Sequence, residues 1–399
     1  MIAIVGAGAS GLIAAIVAAK SKKKVCVFDK NNKIGKKILA TGNGRCNITN
    51  KNIKLQNFHG QNPAFVSYAL SRFSTSTCKE FFEALGIKII EGQKGRLYPA
   101  SLQASSVVAA LEYEAKRLSV EFFLESEVTK IIKNENAFLL HVNSKKIQAE
   151  KVLVATGSFA MPTLGSSQSG YEIAKSFGHK IYPTFASLTQ IITKENLKSI
   201  SGVKIQSSIS VYADKICVQE EFGDVLFTDY GLSGSCILDV SREIGKGLLE
   251  GNDMRIKLDM CPNINKDKLK SFLLQRQKIA YDKSIASWLD GFINSKLAKF
   301  LAKNFPQKPA SKLHQKEIIQ LCFLLKEFTL HVKDTKGLKS AEVSAGGVCV
   351  DEVDSKSLES KIQKNLYFSG EVLDIDADCG GYNLHWAWAS GFLAGKGML

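Results

Sequence analysis

Three glycines, a serine and a carboxylate within the first thirty residues have the types and spacing to hold a pyrophosphate and a ribose. Gly6-Ala7-Gly8-Ala9-Ser10-Gly11 follows the apolar run Ile2-Ala3-Ile4-Val5 and opens an apolar helix pattern over residues 12–19. Val25-Cys26-Val27-Phe28-Asp29 comes next. In such a strand–turn–helix, Gly6 permits the tight turn, Gly8 lets a pyrophosphate approach the backbone, and Gly11 lets the helix pack on the strand. The unpaired N–H groups at the helix start, around Ala9 and Ser10, bind phosphate with the help of the helix dipole. Asp29, with Lys30 beside it, ends the second strand where a ribose hydroxyl pair can donate to its carboxylate. Strand, helix, strand and acid in this order point to an adenine dinucleotide. A signal peptide or a membrane span would also begin with apolar residues. No basic residue precedes Lys20, however, and Lys22-Lys23-Lys24 reads as a solvated turn.

A second chemical stretch lies in residues 30–50, too rich in glycine, asparagine and lysine for a core element and read as a shaped loop. Gly42 and Gly44 bracket Asn43 and allow positive φ, which turns backbone N–H groups toward a ligand. Lys36, Lys37 and Arg45 supply cations for a pyrophosphate or an anionic flavin ring, and Thr41, Cys46 and Asn47 complete the set. The apolar strand before Ala155-Thr156-Gly157 brings a small residue and a glycine back to the dinucleotide, and Val128, in a preceding meander, is a further expected contact. Near the end, Gly370-Glu371 closes an apolar strand, with the acid placed for a ribityl hydroxyl and Asp374 three residues on. Gly380-Gly381-Tyr382-Asn383 then opens a helix whose dipole favours electron density, as at the N1/O2 edge of a reduced flavin. A simple nicotinamide enzyme needs no such return, so the reading is FAD. His385 and Tyr382 are candidates for acid–base work, and Arg45 for charge. Cys46 with Cys379 could form a redox pair, against which stands the frequency of buried inert thiols.

The elements that must position these residues are those of an α/β protein with a doubly wound, two-dinucleotide-binding-type domain. Helical periodicity covers residues 65–85 and 105–118, a meander covers 120–150, and a turn with a short helix covers 165–178. From about residue 185, strands dominate (188–193, 203–212, 215–221, 225–228, 254–258, 328–332), and 263–304 and 312–327 are helical. The expected organisation is an FAD-binding part at 1–187, an inserted β-rich subdomain at 188–262 and 312–334, an inserted helical subdomain at 263–311, and an FAD-binding return at 335–399. The chain has 399 residues, 45% hydrophobic and 23% charged, in the range of a soluble globular protein. Nine scattered cysteines without a C-x-x-C pair speak against a disulfide framework or a structural zinc, so no metal is expected. The net charge of +15 comes mostly from lysines spread along the chain, which reads as a solvated surface rather than a nucleic-acid face.

The motifs Thr41-Gly42-Asn43-Gly44-Arg45-Cys46-Asn47-Ile48-Thr49-Asn50, Gly95-Arg96-Leu97-Tyr98-Pro99, Ala155-Thr156-Gly157 and Gly370-Glu371-Val372-Leu373-Asp374 with Gly380-Gly381-Tyr382-Asn383 resemble those of a bacterial family of FAD-dependent oxidoreductases. That family, often described as NAD(P)/FAD-dependent, includes aminoacetone oxidase and reductases of bile-acid dehydratase operons. The resemblance spans nearly the whole chain. It implies FAD, with Gly42, Asn43, Arg45, Cys46 and Asn47 near the flavin. Ser158, Ser235 and Ala377 depart from the family's usual glycine, proline and glycine, which leaves substrate choice open without touching the motif cores. The expected activity is hydride transfer between the flavin and a small organic molecule, an amine or an unsaturated carbonyl, with NAD(P)H or oxygen as the other electron partner. A flavin-dependent RNA-modifying enzyme and a non-catalytic flavin-binding protein are the alternatives. The expected setting is the cytoplasm, with no membrane partner.

Overall fold

Four consecutive apolar residues without a polar partner must be buried on both faces, and the first strand is. In the computed structural model, which describes residues 1–399, β1 (Ile2–Val5) is the central strand of a five-stranded parallel sheet. On one side it pairs with Lys151–Val154 and then Leu366–Phe368, and on the other with β2 (Val25–Phe28) and then Glu121–Phe123. Helix α1 (Ala9–Ala19) is buried from Ser10 to Ala19. A helix that apolar all round has to be enclosed, and it packs against the sheet and against the C-terminal helix Tyr382–Gly397. The contact is at backbone range. A methyl on Gly391 would run into the Ser10 carbonyl, and one on Gly395 would lie 2.7 Å from Val17 Cβ.

Two departures from the sequence reading fall in this part of the chain. The 30–50 stretch is not loop throughout, because α2 (Lys36–Ala40) forms inside it with Ile38 buried, and Gly35 before it packs on Val108 of the Ala104–Arg117 helix. Residues 65–85 hold two helices, Val66–Arg72 and Thr75–Ala84. The break comes at Ser74, whose hydroxyl accepts from the Thr77 N–H and starts the second helix afresh. The strands Val128–Lys133, Phe138–Val142 and Lys145–Ala149 form an antiparallel meander, and β3 (Thr49–Asn50) pairs with Arg96–Pro99.

The chain divides into two compact units, Met1–Phe185 with Glu342–Leu399, and Ala186–Ala341. The second unit is a closed six-stranded antiparallel barrel, in the order Ile191–Thr193, Gly231–Ser233, Ile216–Phe227, Lys204–Ala213, Met254–Asp259 and Phe328–Thr335. A helix over Ser235–Leu249, absent from the elements expected above, lays Cys236, Ile237, Val240 and Ile244 against the barrel core. Residues 263–304, expected to be helical, hold three helices, Lys266–Lys278, Ile285–Leu289 and Ser295–Ala302. Asn265, Ser284 and Asn294 each cap one of them through the side chain. Barrel and helices bury their apolar residues in a single core.

Gly11 tests how much this packing depends on contact without a Cβ, since a methyl there would collide with the Gly6 carbonyl. Gly11→Ala should destabilise the protein by about 3 kcal/mol, the upper end for overpacking, read as a lowered midpoint in urea.

Candidate flavin site

The carboxyl ends of three neighbouring strands, at Val5, Val154 and Phe368, open on the same crevice, the place where parallel α/β sheets bind ligands. Gly6 follows Val5 with φ +110 and donates its N–H to Phe28 O at 2.8 Å, and a Cβ there would strike Ala155 O. The turn is thus closed onto Ala155, whose own N–H bonds Val5 O at 2.8 Å. Gly8 and Gly157 differ from these neighbours, because a Cβ on either would meet no atom within 4 Å. Bare backbone facing open space beside a helix N-terminus is the shape a pyrophosphate needs. Gly370 joins the same crevice: its N–H bonds Ser390 Oγ at 2.9 Å, and its Cα approaches Ser10 so closely that a Cβ would lie 2.6 Å from Ser10 Oγ.

The charged residues around the crevice are engaged with one another. Asp29 Oδ2 accepts the Ala7 N–H at 2.7 Å, and Oδ1 accepts the Asn31 N–H at 2.8 Å and Asn31 Nδ2 at 3.0 Å. It therefore braces the glycine turn, with lone pairs left for a ribose. Lys30 flanks it, half-buried. Lys37 Nζ meets Glu371 Oε2 at 2.7 Å, while Glu371 Oε1 accepts the Ser344 N–H at 3.1 Å. Both partners are mostly buried, so the pair is fixed in place. Thr156 is half-buried at the strand end, beside Gly157. Val128 is buried in the meander, whose preceding turn donates the Ser126 N–H to Asp29 O at 2.8 Å.

A second wall comes from the 42–50 loop. Gly42, Asn43, Gly44 and Cys46 all have left-handed backbones, with φ of 58°, 55°, 79° and 57°. The bends are held by the Cys46 N–H on Thr41 O at 3.0 Å and the Ala104 N–H on Gly44 O at 2.8 Å. Arg45 is exposed, with Nε on Gly42 O at 3.0 Å and its guanidinium 5.2 Å from the centre of the Tyr98 ring. Asn50 Nδ2 donates to Gly380 O at 3.0 Å and ties this loop to the start of the C-terminal helix. There Gly381, with φ +95, lies against Thr49 O and Asn47 Oδ1, where a side chain would clash. Asn47 is 8% exposed and its Oδ1 has no hydrogen-bond partner. A buried acceptor without a partner, next to the free N–H groups of a helix start, matches the alternating donors and acceptors of a flavin's pyrimidine edge. Glycine cradle and orphaned acceptor together fit FAD.

Several residues expected at the site do something else. His385 is wholly buried, its Nδ1 paired with Thr49 Oγ1 at 2.8 Å and its ring 5.9 Å from that of Phe73. Burial pulls its pKa down to about 4. A neutral ring without accessible surface cannot exchange a proton with a substrate, and His385 is a packing residue. Cys46 has no exposed surface, and burial pushes its thiol up to about 12. That removes it from redox or nucleophilic chemistry at neutral pH. The Cys379 sulfur lies 3.6 Å from an Arg96 guanidinium nitrogen. Asn383 spends its amide on Ala377 N–H and O, at 2.9 and 2.7 Å, so only its backbone remains for a ligand. Asp374 is buried and accepts the Gln61 N–H at 2.9 Å, and Thr41 Oγ1 closes α2 on Ile38 O at 2.7 Å. Tyr382 is half-buried at the first turn of the C-terminal helix.

One residue went unread. Glu342 is exposed, yet the surrounding protein raises its carboxyl pKa above the ordinary range, with Lys37 and Arg96 pulling it back. Only its neighbours in space mark it. The Ala341-Glu342-Val343 sequence carries no signal.

The chain matches the HI0933-like protein Rossmann domain over residues 1–397. It belongs to that family. Among its relatives, the 3-dehydro-bile acid delta(4,6)-reductase of Clostridium scindens is 36% identical over 405 residues, covering 99% of this chain and 98% of the relative. A ribosomal RNA dihydrouridine synthase of Escherichia coli is 31% identical over 402 residues, covering 99% and 97%. Among solved structures, the open form of a flavocytochrome c3 fumarate reductase aligns with a TM-score of 0.49 at 14% identity, over 100% of this chain and 78% of that one. This member is an FAD-dependent oxidoreductase with a Rossmann-type fold. No helix is long and apolar enough to cross a membrane.

Two outcomes test the site. Gly8→Val adds atoms only to open space, so the melting temperature of the cofactor-free protein should hold while FAD affinity, by titration of flavin fluorescence, falls at least about tenfold. On brief native alkylation with iodoacetamide at pH 7, the exposed Cys217 should react and Cys46 should not, as read by peptide mass spectrometry.

Proposed function

We propose that this enzyme reduces a carbon–carbon double bond conjugated to a carbonyl, with FAD resident in the crevice and NADPH or NADH as the electron donor. The observation that carries the reading is the pairing of an open glycine cradle at Gly8 and Gly157 with the unpartnered Asn47 Oδ1 beside Gly381. Two relatives support this bond type. A 4,6-diene next to a 3-oxo group and the 5,6-bond of uracil are both alkenes conjugated to a carbonyl. Of the two substrate types expected from the motifs, this favours the unsaturated carbonyl over the amine.

Bound FAD supplies the hydride. The chain's own residues hold and complement it. The start of α1 and the bare Gly8 take the pyrophosphate, and Asp29 takes the ribose. The start of the C-terminal helix stabilises negative charge on the ring, and Asn47 Oδ1 accepts an N–H. The substrate's α-carbon needs a proton to match the hydride at its β-carbon. Glu342 fits that task, because its raised pKa keeps it protonated nearer neutral pH, with Arg45 and Arg96 available to polarise the carbonyl. One observation favours RNA as the carrier of the reducible base: residues 263–312 hold eleven Lys and Arg against three Asp and Glu.

The purified enzyme should show an oxidised-flavin spectrum that bleaches with NADPH or NADH without oxygen and returns on adding a 3-oxo-4,6-diene steroid or a uridine-containing RNA. Bleaching of the oxidised enzyme by a primary amine instead would overturn the proposal. An acid with a raised pKa is protonated below that pKa, so kcat should fall as pH rises through it. Glu342→Gln should lower kcat about a hundredfold and abolish that fall.

A further inference from the structure

The lysines are less evenly spread than their scatter along the sequence suggests. Residues 263–312 carry a net +8 of the chain's +15, in one eighth of its length. Within this segment the structure brings two stretches of chain bearing three lysines together beside one exposed aromatic residue. The helix Lys266–Lys278 ends at Lys278, and Ile279–Ser284 leads to the next helix. The connection is pinned against the Pro309–Leu313 strand of chain. Ser311 Oγ donates to Tyr281 O, the Ala310 N–H donates to Lys283 O at 2.9 Å, and Ser284 bridges Pro309. Gln277 Nε2 reaches Leu313 O at 2.7 Å and Ala310 O at 3.1 Å from the helix end. These bonds bring Lys278, Tyr281, Lys283 and Lys312 onto one patch.

Tyr281 is 73% exposed with φ +47, a backbone conformation that glycine or asparagine would adopt at less cost. Ile279 beside it is 63% exposed. Lys278, Lys283 and Lys312 are exposed and enter no ion pair, whereas Lys308 and Lys266 nearby are paired with Glu317 and Glu327. The one acid within the patch is Asp282. An outward aromatic ring on a braced turn, with three unpaired lysines on the same and the adjoining stretch of chain, combines the two elements that bind single-stranded nucleic acid: a stacking face for a base and cations for its phosphates.

We propose that this patch is a docking platform for unpaired RNA, with a base stacked on Tyr281 and flanking phosphates on Lys278, Lys283 and Lys312. The proposal rests on the reading in which the reduced alkene is carried on RNA. It adds where on this chain the RNA is held.

The test uses the FAD-loaded full-length enzyme and a fluorescent single-stranded RNA of twelve mixed nucleotides, followed by anisotropy from 50 to 200 mM salt. Tyr281→Ala should weaken binding about tenfold at every salt concentration, as loss of one stacked base does, while Tyr281→Phe binds like the natural protein. The triple change Lys278→Gln, Lys283→Gln, Lys312→Gln should flatten the slope of log K against log salt by about two, at about 0.7 per phosphate contact. Three results would each overturn the platform: no binding at 50 mM salt, Tyr281→Ala within twofold of the natural protein, or equally Tyr281-dependent binding to phosphatidylglycerol vesicles. Turnover with a small conjugated enone is measured alongside and should be unchanged by Tyr281→Ala. Tyr281-dependent RNA binding without reduction of any conjugated alkene would uphold the platform and defeat the reading of the reaction.

Discussion

Helix α1 is held on two sides by atoms that only glycine allows to come so near. Gly11 brings it onto the Gly6 carbonyl, and Gly391 and Gly395 bring the C-terminal helix onto its Ser10 and Val17 turns. The depth of the crevice follows from this. With bulkier residues, α1 would stand off the sheet, its first N–H groups would no longer face the ends of the Lys151–Val154 and Leu366–Phe368 strands, and Gly370 could not reach Ser10. The dinucleotide fingerprint is therefore a packing motif as much as a binding motif. Gly6 and Gly11 serve the first role, and Gly8, whose Cα faces open space, the second.

Electrostatics in the site depends on the same closeness. Asp29 spends most of its acceptor capacity on Ala7 and Asn31, and Glu371 on Lys37 and Ser344. These acids shape the crevice before any ligand arrives, as braces a ribose or ribityl chain could then share. A crevice built this way needs little reorganisation when charge develops inside it. Asn47 is the exception: its buried acceptor is satisfied by nothing in the protein, which leaves a place for the ligand to complete.

Much of this was legible in the sequence because periodicity and glycine spacing report local geometry directly. The β1–α1–β2 unit, the return at Ala155–Gly157 and the helix after Gly381 all stand in the structure as read. Side-chain direction was not legible. His385 and Cys46 neighbour the right motifs, but a residue one step along a helix or a tight loop points to another face, and these two point into the core. Glu342 escaped for the converse reason, since its raised pKa arises from desolvation by the surrounding chain, against the opposing pull of Lys37 and Arg96, and all of these are far away along the sequence. The helix breaks at Ser74, Ser284 and Asn294 were hidden because apolar periodicity continues across them. Only the capping side chains reveal the restarts, and Ser and Asn are common inside helices too. The clustering of Lys278, Lys283 and Lys312 needs the turn that folds residue 281 back on residue 311.

The pairing of Val154 with Phe368 has a consequence for the order of events during synthesis. The central sheet begins with β1, but its outer strand and the helix that covers α1 follow only after the inserted unit along the chain. Between them the chain delivers the whole of Ala186–Ala341, which has its own closed barrel and its own core. Domains fold as units while the chain grows at about 5–20 residues per second. The inserted unit can be complete while the sheet still lacks an edge and α1 still shows an apolar flank. A nascent chain of this protein passes through a stage in which its most finished part is the one that arrived in the middle.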